Sequence, residues 1–252
     1  MASDDADVPR APTGIGGLDA VLGGGMPAGR PTLLAGGPGS GKTLLALMGA
    51  FAGAAGHGEP AIFATFDEEP EALIGHAQRL GYDARALVDS GTVAILDMRI
   101  PPDVAVVGEQ FNLEGVLVRL EAALRRTGAR RLVLDALDNL YSVLGESGAV
   151  DREIARLLDW TREQGATTVV SAGAGGNGGL DRRLEAYLVD CVISLTQRVE
   201  NRLMTRLLRV AKFRGAAHAT NEFPFLIDQY GVTVMPVTSA TPRRAGGEAR
   251  LS

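Results

Sequence analysis

The chain has one cysteine, Cys191, so no internal disulfide can form, and a reducing, cytoplasmic setting is the expectation. Cys191 lies in an apolar, strand-like run, where a thiol packs as a small hydrophobe rather than acting as a nucleophile. No uninterrupted apolar run is long enough to cross a bilayer, and the acidic start Met1-Ala2-Ser3-Asp4-Asp5 is unlike a secretory signal. No membrane contact is therefore expected. There is no basic excess: the formal net charge is −5, which argues against a dedicated nucleic-acid binder. The three histidines, His57, His76 and His218, share no metal-ligand spacing. What remains is an ordinary apolar fraction of 46% in 252 residues, enough for one large α/β domain with a full core.

Against these absences stands a glycine-rich run, Gly36-Gly37-Pro38-Gly39-Ser40-Gly41-Lys42-Thr43. It fits the phosphate-binding pattern G-x-x-x-x-G-K-[ST]. Thr32-Leu33-Leu34-Ala35 before it is strand-like, and Thr43-Leu44-Leu45-Ala46-Leu47-Met48 after it reads as a helix, the context the pattern requires. Glycines let successive backbone N–H groups converge on phosphate oxygens, and the helix N-terminus adds about half a positive charge. Gly37, Pro38, Gly39, Ser40 and Gly41 would cradle the phosphates. Lys42 would reach the β- and γ-phosphates of ATP, and the Thr43 hydroxyl would ligate Mg²⁺.

The rest of the chain supplies a frame for this loop. Residues 1–12 lack periodicity and read as a flexible arm. Turns around a short helix follow, over Thr13-Gly14-Ile15-Gly16-Gly17-Leu18-Asp19 and Leu22-Gly23-Gly24-Gly25-Met26-Pro27. Strands are expected at 32–35, 61–66, 92–97, 131–135 and 167–171. Helices alternate with them: one ends near Gly56-His57-Gly58-Glu59-Pro60, and one spans Pro70 to Gly81. Two more carry apolar faces at Leu113, Val116, Leu117, Leu120, Leu124 and at Val150, Ile154, Leu157, Leu158. This order predicts a mainly parallel sheet flanked by helices. Four further strands, at 191–195, 203–212, 222–227 and 232–235, have no helices between them and predict a C-terminal antiparallel extension. No internal repeat occurs. One ATPase domain over 13–238 and a disordered tail over 239–252 are expected.

Other parts of a nucleotide site belong at the carboxyl ends of the parallel strands. Asp135 ends an apolar strand and suits the carboxylate that holds Mg²⁺, directly or through water. Asp67-Glu68-Glu69 ends the strand that follows the phosphate-loop helix. Its bland reading is a solvated helix start. Its position favours a carboxylate beside the γ-phosphate, either Asp67 or Glu68, that polarises water, with Glu68 also near the metal. Near the C-terminus, Arg209-Val210-Ala211-Lys212-Phe213-Arg214-Gly215 closes a long strand. Alternation places Lys212 and Arg214 on one face and Arg209 on the other. These cations either guard a sheet edge or form a finger that enters a neighbouring subunit's site.

In these residues the chain resembles the KaiC branch of the RecA-like P-loop ATPases. The run Thr13 to Asp19, Gly23-Gly24-Gly25-Met26-Pro27, the phosphate loop and Phe63-Ala64-Thr65-Phe66-Asp67-Glu68-Glu69-Pro70 carry the likeness. So do Lys212-Phe213-Arg214-Gly215 and Glu222-Phe223-Pro224-Phe225-Leu226-Ile227. The resemblance implies a homohexameric ring with ATP between subunits. One subunit gives the loop, Thr43, Asp135 and the acidic pair; its neighbour gives Lys212, Phe213, Arg214 and His218. In that family the acidic pair is two glutamates; here Asp67 stands first and Glu68 second. The family's clock proteins carry two such domains in tandem, and their autophosphorylated Ser-Thr pair falls at Ala186-Tyr187 here. The resemblance therefore implies the hydrolytic type of domain, without autokinase activity.

The leading expectation is an ATPase whose slow hydrolysis drives a conformational change read by a regulatory protein partner. A RecA-type DNA-acting ATPase in recombination or repair is the alternative. The loop Ala172 to Gly179 carries no charge and no aromatic side chain, although Arg182 and Arg183 follow, which disfavours that alternative. A third reading is a scaffold that binds nucleotide and barely turns over.

Overall fold

The structure, a computed structural model, describes residues 8–100, 113–140, 148–173, 188–200 and 202–236. Residues 174–187, with Arg182, Arg183 and Ala186-Tyr187, and residues 237–252 lie outside the described residues.

The centre is β3 (Pro31–Gly36), an apolar strand buried on both faces. Its two leucines diverge as strand geometry requires: Leu34 enters one core and Leu33 the other. The same division recurs in β4 (Ala61–Thr65) and β6 (Arg131–Asp135), where Phe63 and Val133 face the first core and Ile62, Ala64, Leu132 and Leu134 the second. Continuous apolar strands of this kind need helices on both sides. On the first side lie α2 (Lys42–His57), α3 (Pro70–Arg79) and the short α4 (Ala84–Asp89), with Leu45, Leu47, Phe51 and Leu73 buried. On the second lie α5 (Glu114–Thr127) and α6 (Gly148–Glu163), whose Leu117, Leu120, Ile154, Leu157 and Leu158 form the expected apolar faces. The α4 helix was not anticipated; its signal is the Asp83 cap, whose carboxylate accepts from the Ala86 N–H at 3.4 Å.

With β5 (Val93–Asp97), β7 (Thr167–Gly173), β8 (Cys191–Glu200), β9 (Leu203–Phe213), β10 (Glu222–Asp228) and β11 (Gly231–Val234), the sheet has nine strands in the order β11-β10-β9-β8-β3-β7-β6-β4-β5. The antiparallel extension exists but begins one strand later than expected. Cys191 to Leu195 of β8 run parallel to Thr32 to Gly36 of β3, and only β9, β10 and β11 reverse.

A second correction concerns the face of the cations. Val192 pairs with Lys212 and Ile193 with Val210, so Ala211 is an extra residue, a β-bulge. Val210 and Phe213 consequently both enter the first core, and Lys212 joins Arg209 on the opposite face. Simple alternation had separated them.

The expected loose arm is ordered from Val8 onward. Val8 and Ala11 are buried, and β1 (Arg10–Ala11) pairs antiparallel with β2 (Met26–Pro27). The Arg10 guanidinium lies 4.1 Å from the Phe213 ring centroid. Anchors this short leave no periodicity to read.

After α1 (Leu18–Val21), the turn glycines acquire a reason. Asp19 accepts from the Thr13 N–H and hydroxyl at 2.7 Å each, closing the loop that presents Gly17 to the far edge of the sheet. Gly17 has φ +77, and a Cβ there would sit 1.9 Å from the Val234 carbonyl oxygen. Gly17→Ala should therefore lower stability by about 2–4 kcal/mol in denaturant melts. Gly56→Ala, in the exposed last turn of α2 with open space around it, should raise stability by about 0.5–1 kcal/mol. Equal effects at both positions would contradict this packing.

Candidate functional site

The carboxyl ends of β3, β4, β6 and β7 converge on a cleft of about 860 Å³. At its floor is the phosphate loop. Gly39 and Gly41 take φ +72 and +97, and a Cβ on Gly41 would meet Ile227 Cδ1 at 2.8 Å. Ser40, 2% exposed, covers Gly36, where a Cβ would lie 2.5 Å from its Oγ. Gln197 on β8 donates to the Gly39 carbonyl at 2.7 Å and ties the loop to the sheet. Lys42 Nζ donates to the carbonyls of Gly36 at 2.7 Å and Gly37 at 3.2 Å, so the ammonium sits in the concavity of the loop. Gly37 has open space around its Cα, Pro38 is exposed, and Thr43 lies in the first turn of α2. The phosphate-loop residues read from sequence are thus together.

Asp135 stands opposite. It is fully buried, and its Oδ1 accepts from Ser171 Oγ at 2.5 Å. Ser171 also receives the Ala136 N–H at 2.8 Å, in a turn where Ala136 takes φ +61. Burial pushes the Asp135 carboxyl up to about 6; the Ser171 hydrogen bond and the Thr43 hydroxyl beside it oppose the rise, the Glu68 charge adds to it, and Lys42 opposes it. Asp135 Oδ2 is buried without a hydrogen-bond partner among the described residues. An unpartnered carboxylate oxygen beside a threonine hydroxyl, both hard oxygen donors, fits Mg²⁺. Thr43 and Asp135 would hold it, and its charge would compensate the one that burial disfavours. No cluster of three His, Cys, Asp or Glu capable of holding a metal occurs among the described residues. The site suits an ion completed by phosphate and water rather than an all-protein cage.

The three carboxylates after β4 separate. Glu69 turns away to Arg99 at 3.2 Å. Asp67 and Glu68 line the cleft. Glu68 is half-buried with His76 Nδ1 at 3.4 Å, while Asp67 is exposed and accepts from Asn139 Nδ2 at 3.1 Å. Ser171, His76 and Asn139 were not recognised from sequence. Ser171 had a faint signal, a hydroxyl at the end of an apolar strand; the other two meet the acidic turn only through the fold.

Lys212, Phe213, Arg214 and His218 are not brought to this cleft. Phe213 pairs with Cys191, level with Thr32, four residues or roughly 13 Å along the strand from Gly36. Its ring is buried. The Arg214 N–H donates to the Asp190 carbonyl at 2.8 Å, and its guanidinium lies 3.5 Å from the Asp190 carboxylate, which also faces Arg162 at 3.3 Å and Arg30 at 3.7 Å. His218 is half-exposed in the turn beyond. These groups stand at the amino end of the parallel strands, the phosphate loop at the carboxyl end.

Fold and site together define a RecA-like P-loop domain of the ATPase class. The family model described as "ATPase: KaiC" matches residues 11–239. The chain is 35% identical over 243 residues to the circadian clock protein KaiC2 of Synechocystis sp., covering 96% of this chain and 43% of that protein. It is 31% identical over 252 residues to the circadian clock oscillator protein KaiC of Synechococcus elongatus, covering 99% and 49%. The chain belongs to the KaiC ATPase family and spans about half the length of the curated relatives it matches. No helix among the described residues is long and apolar enough to cross a membrane.

A raised carboxyl stabilises the fold below its unfolded value near pH 4 and loses that contribution as pH rises through about 6. In metal-free buffer, Asp135→Asn should therefore gain stability over the parent by on the order of 1–3 kcal/mol between pH 4 and 7. The same variant should lose Mg²⁺-dependent nucleotide binding. A pH-independent difference in melting would contradict the buried carboxyl.

Proposed function

We propose that the chain is a KaiC-like ATPase that hydrolyses ATP slowly at the interfaces of a homohexameric ring and passes nucleotide state to a protein partner through its conformation. The ATPase domain extends over 13–238. The observation that carries the ring is the separation of two half-sites. The loop and carboxylates open at one end of the sheet, while Lys212 and Arg214 stand at the other. A cyclic head-to-tail arrangement lets each protomer supply both halves.

In this reading the loop amides and Lys42 bind the triphosphate. Glu68 orients a water and takes its proton during in-line attack. Lys212 and Arg214 of the neighbour meet the charge developing on the transferred phosphoryl group, a contribution of about 10³–10⁵ in rate. His218 and the Phe213 backbone line that incoming edge. Bound Mg²⁺, held by Thr43 and Asp135 with Glu68 near by, supplies charge neutralisation of the phosphate oxygens. Relatives named as clock proteins, of whose length the chain spans about half, support a regulatory output.

Mixing two inactive variants tests the shared site. Lys42→Ala should abolish ATP binding, and Arg214→Ala should retain binding while losing turnover. Mixed rings should recover up to about one quarter of the parent rate, the share of interfaces that join an intact loop to an intact finger. No recovery, with mixed rings verified by native mass spectrometry in ATP and Mg²⁺, would sink the intersubunit reading.

A further inference from the structure

Two adjacent carboxylates face the cleft, and their chemistry alone does not say which one acts on water. We propose that Asn139 is a positioning residue that commits Asp67 as a hydrogen-bond acceptor and leaves Glu68 as the carboxylate that acts on water. The inference rests on the hydrolytic reading above and assigns the roles within it.

Asn139 lies on the turn leaving β6, the strand paired beside β4 with Thr65 opposite Asp135. That turn is anchored on both sides. Leu137 and Leu140 are buried, the Leu137 N–H donates to the Ser171 carbonyl at 3.0 Å, and the Asn139 N–H donates to the Ala136 carbonyl at 3.0 Å. From there the Asn139 amide reaches across to the Phe66 carbonyl at 3.3 Å and Asp67 Oδ1 at 3.1 Å. Both partners are acceptors only, so the amide nitrogen must face them, and both of its hydrogens are engaged.

The backbone of the acidic turn is fixed separately. The Phe66 N–H donates to the Asp135 carbonyl at 3.0 Å. Thr65 Oγ1 accepts from the N–H groups of Asp67 at 3.2 Å and Glu68 at 2.9 Å, and donates to the Glu68 carbonyl at 3.0 Å. That uses the hydroxyl's full capacity of one donor and two acceptors.

The two side chains then diverge. Asp67 leans to the β6 turn and stays exposed; Glu68 leans to α3, 31% exposed, beside His76. Both carboxylates line the cleft, but only Asp67 is tied across to the segment that leaves β6. A carboxylate held by a neutral amide from another strand end is a fastener. The longer side chain, which that amide does not hold, is the one left for chemistry.

Exchanging donor and acceptor across this pair tests the inference. Asp67→Asn alone leaves two amides facing each other, and Asn139→Asp alone opposes two carboxylates; each should lower kcat at least about tenfold. The double variant Asp67→Asn with Asn139→Asp rebuilds the hydrogen bond with its direction reversed and should return kcat to within about fivefold of the parent. The remaining shortfall reflects the lost Phe66 contact. Asn139→Ala should also cut kcat at least about tenfold, and ATP affinity should stay within about twofold in all four proteins because the phosphate loop is untouched. A double variant as inactive as Asp67→Asn would overturn the proposal, because the Asp67 charge would then be needed at the water. Parent-like kcat in Asn139→Ala would overturn it too. If a single variant fails to fold, the double variant alone decides. Failure of the hydrolytic reading looks different: the parent would show no turnover, or Glu68→Gln would leave it unchanged.

Discussion

A carboxylate buried at the end of a central strand, with one oxygen left unpartnered, is the constraint from which this site follows. Asp135 is carried into the interior by the three apolar residues before it in β6, Leu132, Val133 and Leu134. Ser171 satisfies Oδ1, and the Ala136 turn is bent into the left-handed region to permit it. What remains is an oxygen whose charge the interior disfavours and which a hard cation would satisfy. The phosphate loop faces it because β3 and β6 are separated by β7 alone. Metal, phosphate and carboxylate would therefore form a single electrostatic unit there, each offsetting the charge of the others.

The two ends of the sheet divide the labour. At the carboxyl ends stand the phosphate-loop amides, Lys42 and the carboxylates of Asp67, Glu68 and Asp135, a set suited to a metal-bound anion. At the amino end Asp190, buried itself, gathers Arg30, Arg162 and Arg214. Asp159 also holds Arg162, at 2.9 Å, so two carboxylates face three guanidinium groups, and half-exposed Arg214 is presented there with its backbone tied to Asp190. The bulge at Ala211 turns Lys212 onto the face of Arg209 and sinks Phe213 under Arg10. The N-terminal strand thus braces the segment that carries the cations.

Much of this was legible in the sequence, for identifiable reasons. Leu33-Leu34 and Leu132-Val133-Leu134 announce strands buried on both faces, because only such strands need apolar residues at every position. The loop was readable because phosphate binding demands glycines and a lysine in fixed order. The run Thr13 to Asp19 read only as turns, and the reason for Gly17 within it, the Val234 carbonyl, lies at the other end of the chain. The unread features share that property. Ala211 breaks alternation only because of how β9 pairs with β8, and β8 runs parallel because a crossover returns it beside β3. Asn139 meets Asp67, and His76 meets Glu68, through strand and helix packing that no local spacing encodes.

The central claim is that Asp135 and Thr43 form the protein side of one metal–triphosphate site. Its most direct measurement is the anomalous difference density of a crystal grown with Mn²⁺ and a non-hydrolysable ATP analogue. The account places one peak within bonding distance of the Thr43 hydroxyl and directly, or through one water, beside Asp135 Oδ2, with Lys42 released from the carbonyls of Gly36 and Gly37. A metal bound elsewhere, with Lys42 still on those carbonyls and Asp135 Oδ2 unengaged, would contradict it.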